Sequence, residues 1–255
     1  MRDFTVVAYR QLLESLLSKG YSFVTFGDYC GQHPSGRFVI LRHDVDLRAD
    51  HSLTVAQVEA ELGIRASYYF RVVPASNQPD IIRSIAALGH EIGYHYEDMA
   101  ITRGDADKAI AHFRQWLAYF RQFYPVRTIC MHGAPTSRYD GRDLWQKYSY
   151  RDEGIIGEPY FDIDFSNLFY LTDTGRCWDG FRYSVRDKVP MQDEWISQGR
   201  VYHSTFDLIS ADLPAQMMMT THPQRWTDKP LLWEREYVMQ NIKNWIKRLL
   251  IWVKE

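Results

Sequence analysis

The sequence predicts an α/β fold, a (β/α) barrel of parallel strands in a single domain spanning residues 1–255. Two observations predict it. Short apolar segments alternate with helical ones through the first half of the chain, and parallel strands need such crossover connections. Four apolar segments also end in an acid or an imidazole: FVIL before Arg42-His43-Asp44-Val45-Asp46, HEIGYH at His95, TICMH at His132 and MMMTTH at His222. In a parallel barrel the C-terminal strand ends converge on one face, so residues this distant in sequence can ring one centre. No Pro/Ser/Gly-rich linker divides the 255 residues, and the length suffices for one large core.

Val6, Val7, Leu12, Leu13, Leu16 and Leu17 recur at helical spacing and Gly20 caps the end, so a helix opens the chain and the β-rich YSFVTF follows. FVIL (38–41) is the next strand, Arg48 to Leu62 a helix closed by Gly63, and ASYYFRV (66–72) a strand again. Asn77-Gln78-Pro79 marks a loop and a helix start, IIRSIAAL is that helix, capped by Gly89, and HEIGYH is the following strand. Asp105 to Tyr124 forms a longer amphipathic helix stopped by Pro125, after which TICMH resumes the sheet. From Gly133 to Gly199 the pattern is irregular, an elaborated loop region with short strands in GIIGEPY and LFYLTD. Ser204 caps a short helix, TFDLIS, the strand AQMMMTTH follows, and Leu231 to Lys254 reads as one long helix.

A formal net charge of −2 with no basic stripe argues against a nucleic-acid partner. The N-terminus carries Arg2, Asp3, Arg10 and Glu14 and lacks the apolar core and cleavage site of a signal peptide, and no run is long enough to span a bilayer. Cys30, Cys130 and Cys177 are odd in number and widely spaced, which fits a reducing compartment. A cytoplasmic protein is the expectation. Aromatic residues, 15% of the chain, serve either a well-filled core or a sugar-stacking cleft, the latter through Tyr94, Tyr96, Trp145, Trp178 and Trp226 near the strand ends. In the last helix Ile242, Trp245, Ile246, Leu249, Leu250 and Val253 form an apolar stripe beside Lys243, Lys247, Arg248 and Lys254. Such a stripe packs on the barrel or a partner subunit, or makes peripheral contact with an anionic membrane surface.

Asp44 and Asp46 are two apart, so on an extended chain their carboxylates share a face while His43 and Val45 point elsewhere. One carboxylate on a metal and one free to take a proton from water is what a metal-dependent hydrolase needs, because the metal lowers the water pKa from about 15.7 towards about 7. The alternative is a solvated turn or helix cap. His90 and His95 bracket one strand, so His95 belongs to the C-terminal, functional face and His90 to a structural hydrogen bond at the other end. His132 and His222 close strands in the same way. The oxygen and nitrogen donors on these ends favour one divalent cation, zinc before others, with His95 a ligand candidate and one of the two aspartates beside it.

FVILRHDVDL followed by a helix, ASYYFRV and LGHEIGYHYED resemble the polysaccharide deacetylase family, also called NodB-homology or carbohydrate esterase family 4, over roughly the first hundred residues. FDIDFSNLFYLTDTGRCW and THPQRW resemble an HDVD-bearing branch found with surface-polysaccharide loci. The resemblance implies a distorted, incomplete (β/α) barrel of about seven strands. It assigns Asp44 to the catalytic base and Asp46 to the metal, with Val45 where the family's metal-binding Asp normally stands, so the two roles are exchangeable. His95 matches the first metal-binding His of the second motif, and Met99 stands where its partner belongs. A thioether is a poor ligand for such a cation, so the third ligand comes from elsewhere, His132 first and Glu97 second, or the metal is lost. His222 matches the family's general acid. Arg138, Arg225 and Trp226 are substrate contacts or, equally, ion-pair and packing residues.

The function expected is therefore metal-dependent removal of acetyl groups from an N- or O-acetylated sugar or glycan precursor. Two alternatives stay open: a metal-dependent amidase of another small molecule, and a degenerate, metal-free barrel that binds a glycan or a partner.

Overall fold

A computed structural model of the chain describes residues 2–134, 137–180 and 189–252, with the side chains of 246–252 excepted. Seven strands are assigned over these residues: β1 (Ser22–Val24), β2 (Phe38–Val45), β3 (Ser67–Phe70), β4 (Glu91–Tyr96), β5 (Ile129–Met131), β6 (Phe169–Thr172) and β7 (Gln216–Thr221). All pair in parallel in one sheet of order β5-β4-β3-β2-β7-β6, with β1 also on β2. Helices cover it, led by α1 (Val6–Ser18), α2 (Phe26–Gln32), α3 (Ala49–Glu61), α4 (Pro79–Ala87), α5 (Asp98–Ile101) and α6 (Ala106–Phe120). β5 and β6 end the sheet without pairing to each other, so the architecture is an incomplete (β/α) barrel.

β2 is the hub. All eight of its residues are buried, and it carries three partners. β7 pairs with Phe38 to His43, β1 with Phe38 to Ile40 and β3 with Arg42 to Val45, so β1 and β3 share one edge and β7 takes the other. The pleat sends alternate side chains to opposite faces. On the α3 side His43 donates through Nε2 to Glu59 Oε1 (2.7 Å) and accepts at Nδ1 from the Thr221 hydroxyl (2.6 Å), while Tyr68 donates to Glu59 Oε2 (2.7 Å). Tyr9 of α1 donates to the same carboxylate. Donors from three elements thus satisfy a fully buried acid and tie α1 and α3 to the sheet. Beneath it His90 donates Nε2–H to Ala56 O (3.0 Å) and accepts at Nδ1 from Ala66 N–H, the structural role expected of it.

Local chemistry explains where the elements differ from the sequence reading. The strand beginning at FVIL continues to Val45, because β3 and β7 supply backbone partners past Leu41. YSFVTF yields only a three-residue strand: Thr25 accepts from Asp28 N–H (3.0 Å) and caps α2, so Phe26 is helical. Gly93 in β4 lets the Tyr69 ring cross the strand, since a Cβ there would lie 2.3 Å from that ring. LFYLTD contains β6, whereas GIIGEPY is no strand and makes only a bridge between Thr128 and Gly157. Tyr94, Tyr96, Trp178 and Trp226 are buried and Trp145 is half-buried, donating to Tyr96 OH (2.9 Å), so these aromatics fill the core and do not line a sugar-stacking cleft.

The last helix spans Pro230–Trp252 and exposes Val238, Ile242 and Trp245. The side chains of Ile246, Lys247, Arg248, Leu249 and Leu250, together with Val253 and Lys254, lie outside the described residues. Among the described residues no helix is long and apolar enough to cross a membrane.

Glu158 anchors the strand that carries His132. It caps a short helix, Pro159–Asp162, accepting from Tyr160 N–H (2.6 Å), and accepts from Met131 N–H of β5 (3.0 Å). Burial raises its carboxyl from the ordinary 4.5 to about 7, against those two backbone donors, which lower it. The folded chain thus keeps a proton that the unfolded chain releases from about pH 4.5 upward. This contribution to stability is complete below that pH and is lost as the pH rises through 7. Thermal midpoints between pH 5 and 8 should fall with rising pH, and fall less steeply in Glu158→Gln. Parallel profiles for the two proteins would remove Glu158 as the cause.

Candidate metal centre

The pleat that turns His43 towards α3 turns Arg42 and Asp44 to the barrel interior. Arg42 grips Asp44 with two bonds, Nε to Oδ1 (2.8 Å) and a terminal nitrogen to Oδ2 (2.6 Å), both residues being buried. Burial alone would raise the Asp44 carboxyl, but the Arg42 guanidinium outweighs it, helped by His95 and His222, and holds the acid well below the carboxylate range. Asp46 follows the strand in a tight turn closed by its N–H on Asp44 O (3.1 Å).

Three imidazoles converge on Asp46. His95 donates from Nδ1 to Cys130 O (2.9 Å), His132 from Nδ1 to Glu97 Oε2 (2.9 Å), and His222 from Nδ1 to Asp173 Oδ1 (2.6 Å). Carbonyl and carboxylate oxygens only accept, so His95 and His132 carry a proton on Nδ1 and present a lone pair at Nε2, while His222 Nδ1 lies between Asp173 Oδ1 and the Arg225 guanidinium (2.9 Å) and turns Nε2 to the centre. His132 Nε2 lies 3.5 Å and His95 Nε2 3.7 Å from Asp46 Oδ1, and His222 Nε2 lies 3.9 Å from Asp46 Oδ2. These separations are too long for hydrogen bonds. Asp46 Oδ1 is itself buried with no hydrogen-bond partner. Lone pairs therefore face lone pairs in a low-dielectric site, an arrangement that favours a cation. Tetrahedral zinc with bonds near 2.1 Å would set its ligand atoms about 3.4 Å apart, close to the spacing of Asp46 Oδ1 from His132 Nε2 and from His95 Nε2.

Ligand-type atoms of Asp44, His95 and Cys130 also lie within 4.8 Å of one another. Each Asp44 oxygen accepts from Arg42, whereas Asp46 Oδ1 has no hydrogen-bond partner, which favours Asp46 as the ligand; Cys177, Asp179 and His203 form a separate group of the same kind. Burial lowers His95 to about 4, with His132 and Arg42 acting in the same direction, so the ring is neutral, as a ligand must be.

Each partner on the outer nitrogens is held in turn. Arg71 makes a forked pair with Glu97 (2.7–2.9 Å), and with His132 it overcomes the effect of burial to hold that carboxyl at about 2. Glu97 thus orients His132 and is not a free ligand. Met99 is a buried residue of α5. Asp173, fully buried just beyond β6, accepts from His222 N–H (2.9 Å) and Trp226 Nε1 (2.9 Å) and pairs with Arg225. Burial would raise its carboxyl, and Arg225 and His222 lower it below the usual range. Arg225 and Trp226 are thus engaged with Asp173, the Trp almost wholly buried, and stand behind His222 instead of facing a ligand. Arg138 is exposed near His132 and donates to Tyr139 OH (2.6 Å).

Arg42, Arg71 and Asp173 carry roles that the sequence reading left unassigned. Asp173 was accessible to it: LFYLTD is another apolar strand ending in an acid. Arg42 and Arg71 gave no signal, because an arginine beside a strand has many uses.

Elemental analysis should find about one divalent cation per chain, lost in Asp46→Ala and in His95→Ala and weakened at least tenfold in Glu97→Ala, the range for an outer partner of a metal-bound imidazole. A full equivalent retained in both ligand variants would rule this site out.

No protein-family model matches the chain, and no curated protein sequence matches it. Solved structures resemble it. A family 4 carbohydrate esterase from Streptomyces lividans in complex with acetate is 16% identical over 80% of this chain and 87% of that one, with a TM-score of 0.42. A CE4 esterase from Streptococcus mutans is 12% identical over 91% of this chain and 90% of that one, with a TM-score of 0.46. A CE4 family pseudoenzyme from Bacillus anthracis is 11% identical over 83% of this chain and 63% of that one, with a TM-score of 0.44.

Proposed function

We propose that the chain is a metal-dependent hydrolase that removes an acetyl group from an N- or O-acetylated sugar or glycan precursor. The observation that carries the proposal is Asp46 Oδ1, buried without a hydrogen bond and approached by the free Nε2 atoms of His95 and His132. The motifs FVILRHDVDL and HEIGYH, with their likeness to polysaccharide deacetylases, support the choice of acetylated sugar. Met99 does not decide for a degenerate barrel, because His132, with Nε2 3.5 Å from Asp46 Oδ1, offers another nitrogen ligand.

A divalent cation held by Asp46, His95 and His132 would polarise the acyl carbonyl and acidify water there. Asp44 is the base in this reading. Arg42 keeps it ionised and fixes both oxygens in direction, so that an oxygen lone pair not used by Arg42 can take the proton of the attacking water. His222 is the general acid. Asp173 holds its Nδ1, so Nε2 alone faces the centre; as an imidazolium protonated there, His222 gives up that proton to the leaving nitrogen or oxygen as the bond to the acyl carbon breaks and returns to the neutral ring. Acetate and a free amino or hydroxyl sugar result.

Asp44→Asn should keep its metal and lower turnover on acetylated sugars by about 10²–10⁴, the usual loss of a positioned base. An unchanged rate would dismiss Asp44 from that role. For His222→Ala the expected result is retained metal, loss of activity on acetamides, and partial activity on an activated aryl acetate whose leaving group needs no proton. Loss of metal with failure on both substrates would make His222 a ligand. Wild-type protein purified without chelator that holds no metal and releases no acetate across a panel of acetylated sugars would favour the binding-module reading.

A further inference from the structure

Beside the metal-ligand candidates opens a cavity of about 590 Å³, lined by Arg71, Glu97, Arg103, His132, Arg138 and Tyr139. His132 and Glu97 belong to both, so a molecule reacting at Asp46 can extend into this space. Its volume lies within the range of small-molecule sites. Three arginines face one carboxylate in the lining, a surplus of two positive charges on a chain whose formal net charge is −2. Arg71 is neutralised by its forked pair with Glu97. Arg103 and Arg138 supply the surplus. Both are exposed, and among the described residues neither is ion-paired to an acid.

The two arginines line the same cavity from segments that meet at Tyr139. Arg103 has φ +56° and Gly104 φ +87°, and the turn closes with Gly104 N–H on Met99 O (2.9 Å). A Cβ at Gly104 would lie 2.5 Å from the Tyr139 ring, so only glycine lets that ring rest on the turn. Arg138 in turn lies over the Tyr139 ring, 4.9 Å from its centroid. The ring thus joins the Arg103 turn to the Arg138 loop at the rim of the cavity.

We propose that this cavity is an anion subsite and that the substrate is an acetylated sugar carrying a phosphate group, bound between Arg103 and Arg138 while the acetyl end lies at Asp46. Guanidinium forks match phosphate oxygens, and two of them suit a dianion better than a single carboxylate. The sugar rests on the deacetylase reading, whereas the anion subsite does not.

Calorimetric titration with unacetylated ligands tests it without turnover. Glucosamine 1-phosphate should bind wild-type protein at least tenfold more tightly than glucosamine. Added salt should shrink the preference and inorganic phosphate should compete for it. In Arg103→Ala the ratio should fall severalfold, and in Arg103→Ala/Arg138→Ala it should approach one, while Arg83→Ala, at a distant exposed site, should keep it. Equal affinities in wild type, or a preference that survives the double variant, would overturn the proposal. Glucuronate binding as tightly as the phosphate would overturn the choice of phosphate. Acetate release is read separately on N-acetylglucosamine 1-phosphate: its absence with the binding preference intact sinks the deacetylase reading and leaves the anion subsite standing.

Discussion

The pleat of β2 is the constraint from which the rest of the molecule follows. Its alternation sends His43 to the helices, where Glu59 of α3 collects donors from α1, β2 and β3, and sends Arg42 and Asp44 to the interior. A register slip of one residue would exchange these sets, placing a charged pair against α3 and an imidazole in the barrel. Such a slip is opposed by the buried pair itself, since stranding one partner of a buried ion pair costs about 3–5 kcal/mol. β2 is also the strand with three sheet partners, so the strands that bring His95 and His222 to the centre take their register directly or through one neighbour from it.

The centre is organised from its outer side. Each of the three imidazoles faces Asp46 because its far nitrogen is bound elsewhere: a backbone carbonyl for His95, Glu97 for His132, Asp173 for His222. Two of these acceptors are carboxylates backed by arginines, Arg71 and Arg225, which keep them ionised despite burial. The tautomers are thereby set, and electron pairs are concentrated around one carboxylate oxygen that has no donor of its own. Without a positive charge this concentration is unfavourable in a low dielectric, and with one it becomes the source of affinity.

Asp44 and His222 occupy contrasting surroundings at the same centre. Arg42 saturates the first with bonds that favour its charged form. Asp173 leaves the second with one unengaged nitrogen turned inward.

Much of the molecule was legible in its amino-acid order. Alternating apolar and helical segments specify parallel strands with crossovers, and the strand-end rule picks out Asp44, Asp46, His95, His132 and His222, because strand ends of a parallel sheet share a face whatever their separation along the chain. Asp173 obeys the same rule but lay in a region of irregular pattern, where LFYLTD and GIIGEPY looked alike and only LFYLTD contains a strand. What only the tertiary structure decided is pairing. Glu97 looked like a ligand and is the partner of His132. Arg225 and Trp226 looked like substrate contacts and are the partners of Asp173. Arg42, with no role assigned, is the partner of Asp44. The physical reason is that residue type and period determine which face a side chain occupies, whereas an ångström-scale contact depends on how separate elements pack. That packing turns a set of acids and imidazoles into a centre with one unsatisfied oxygen.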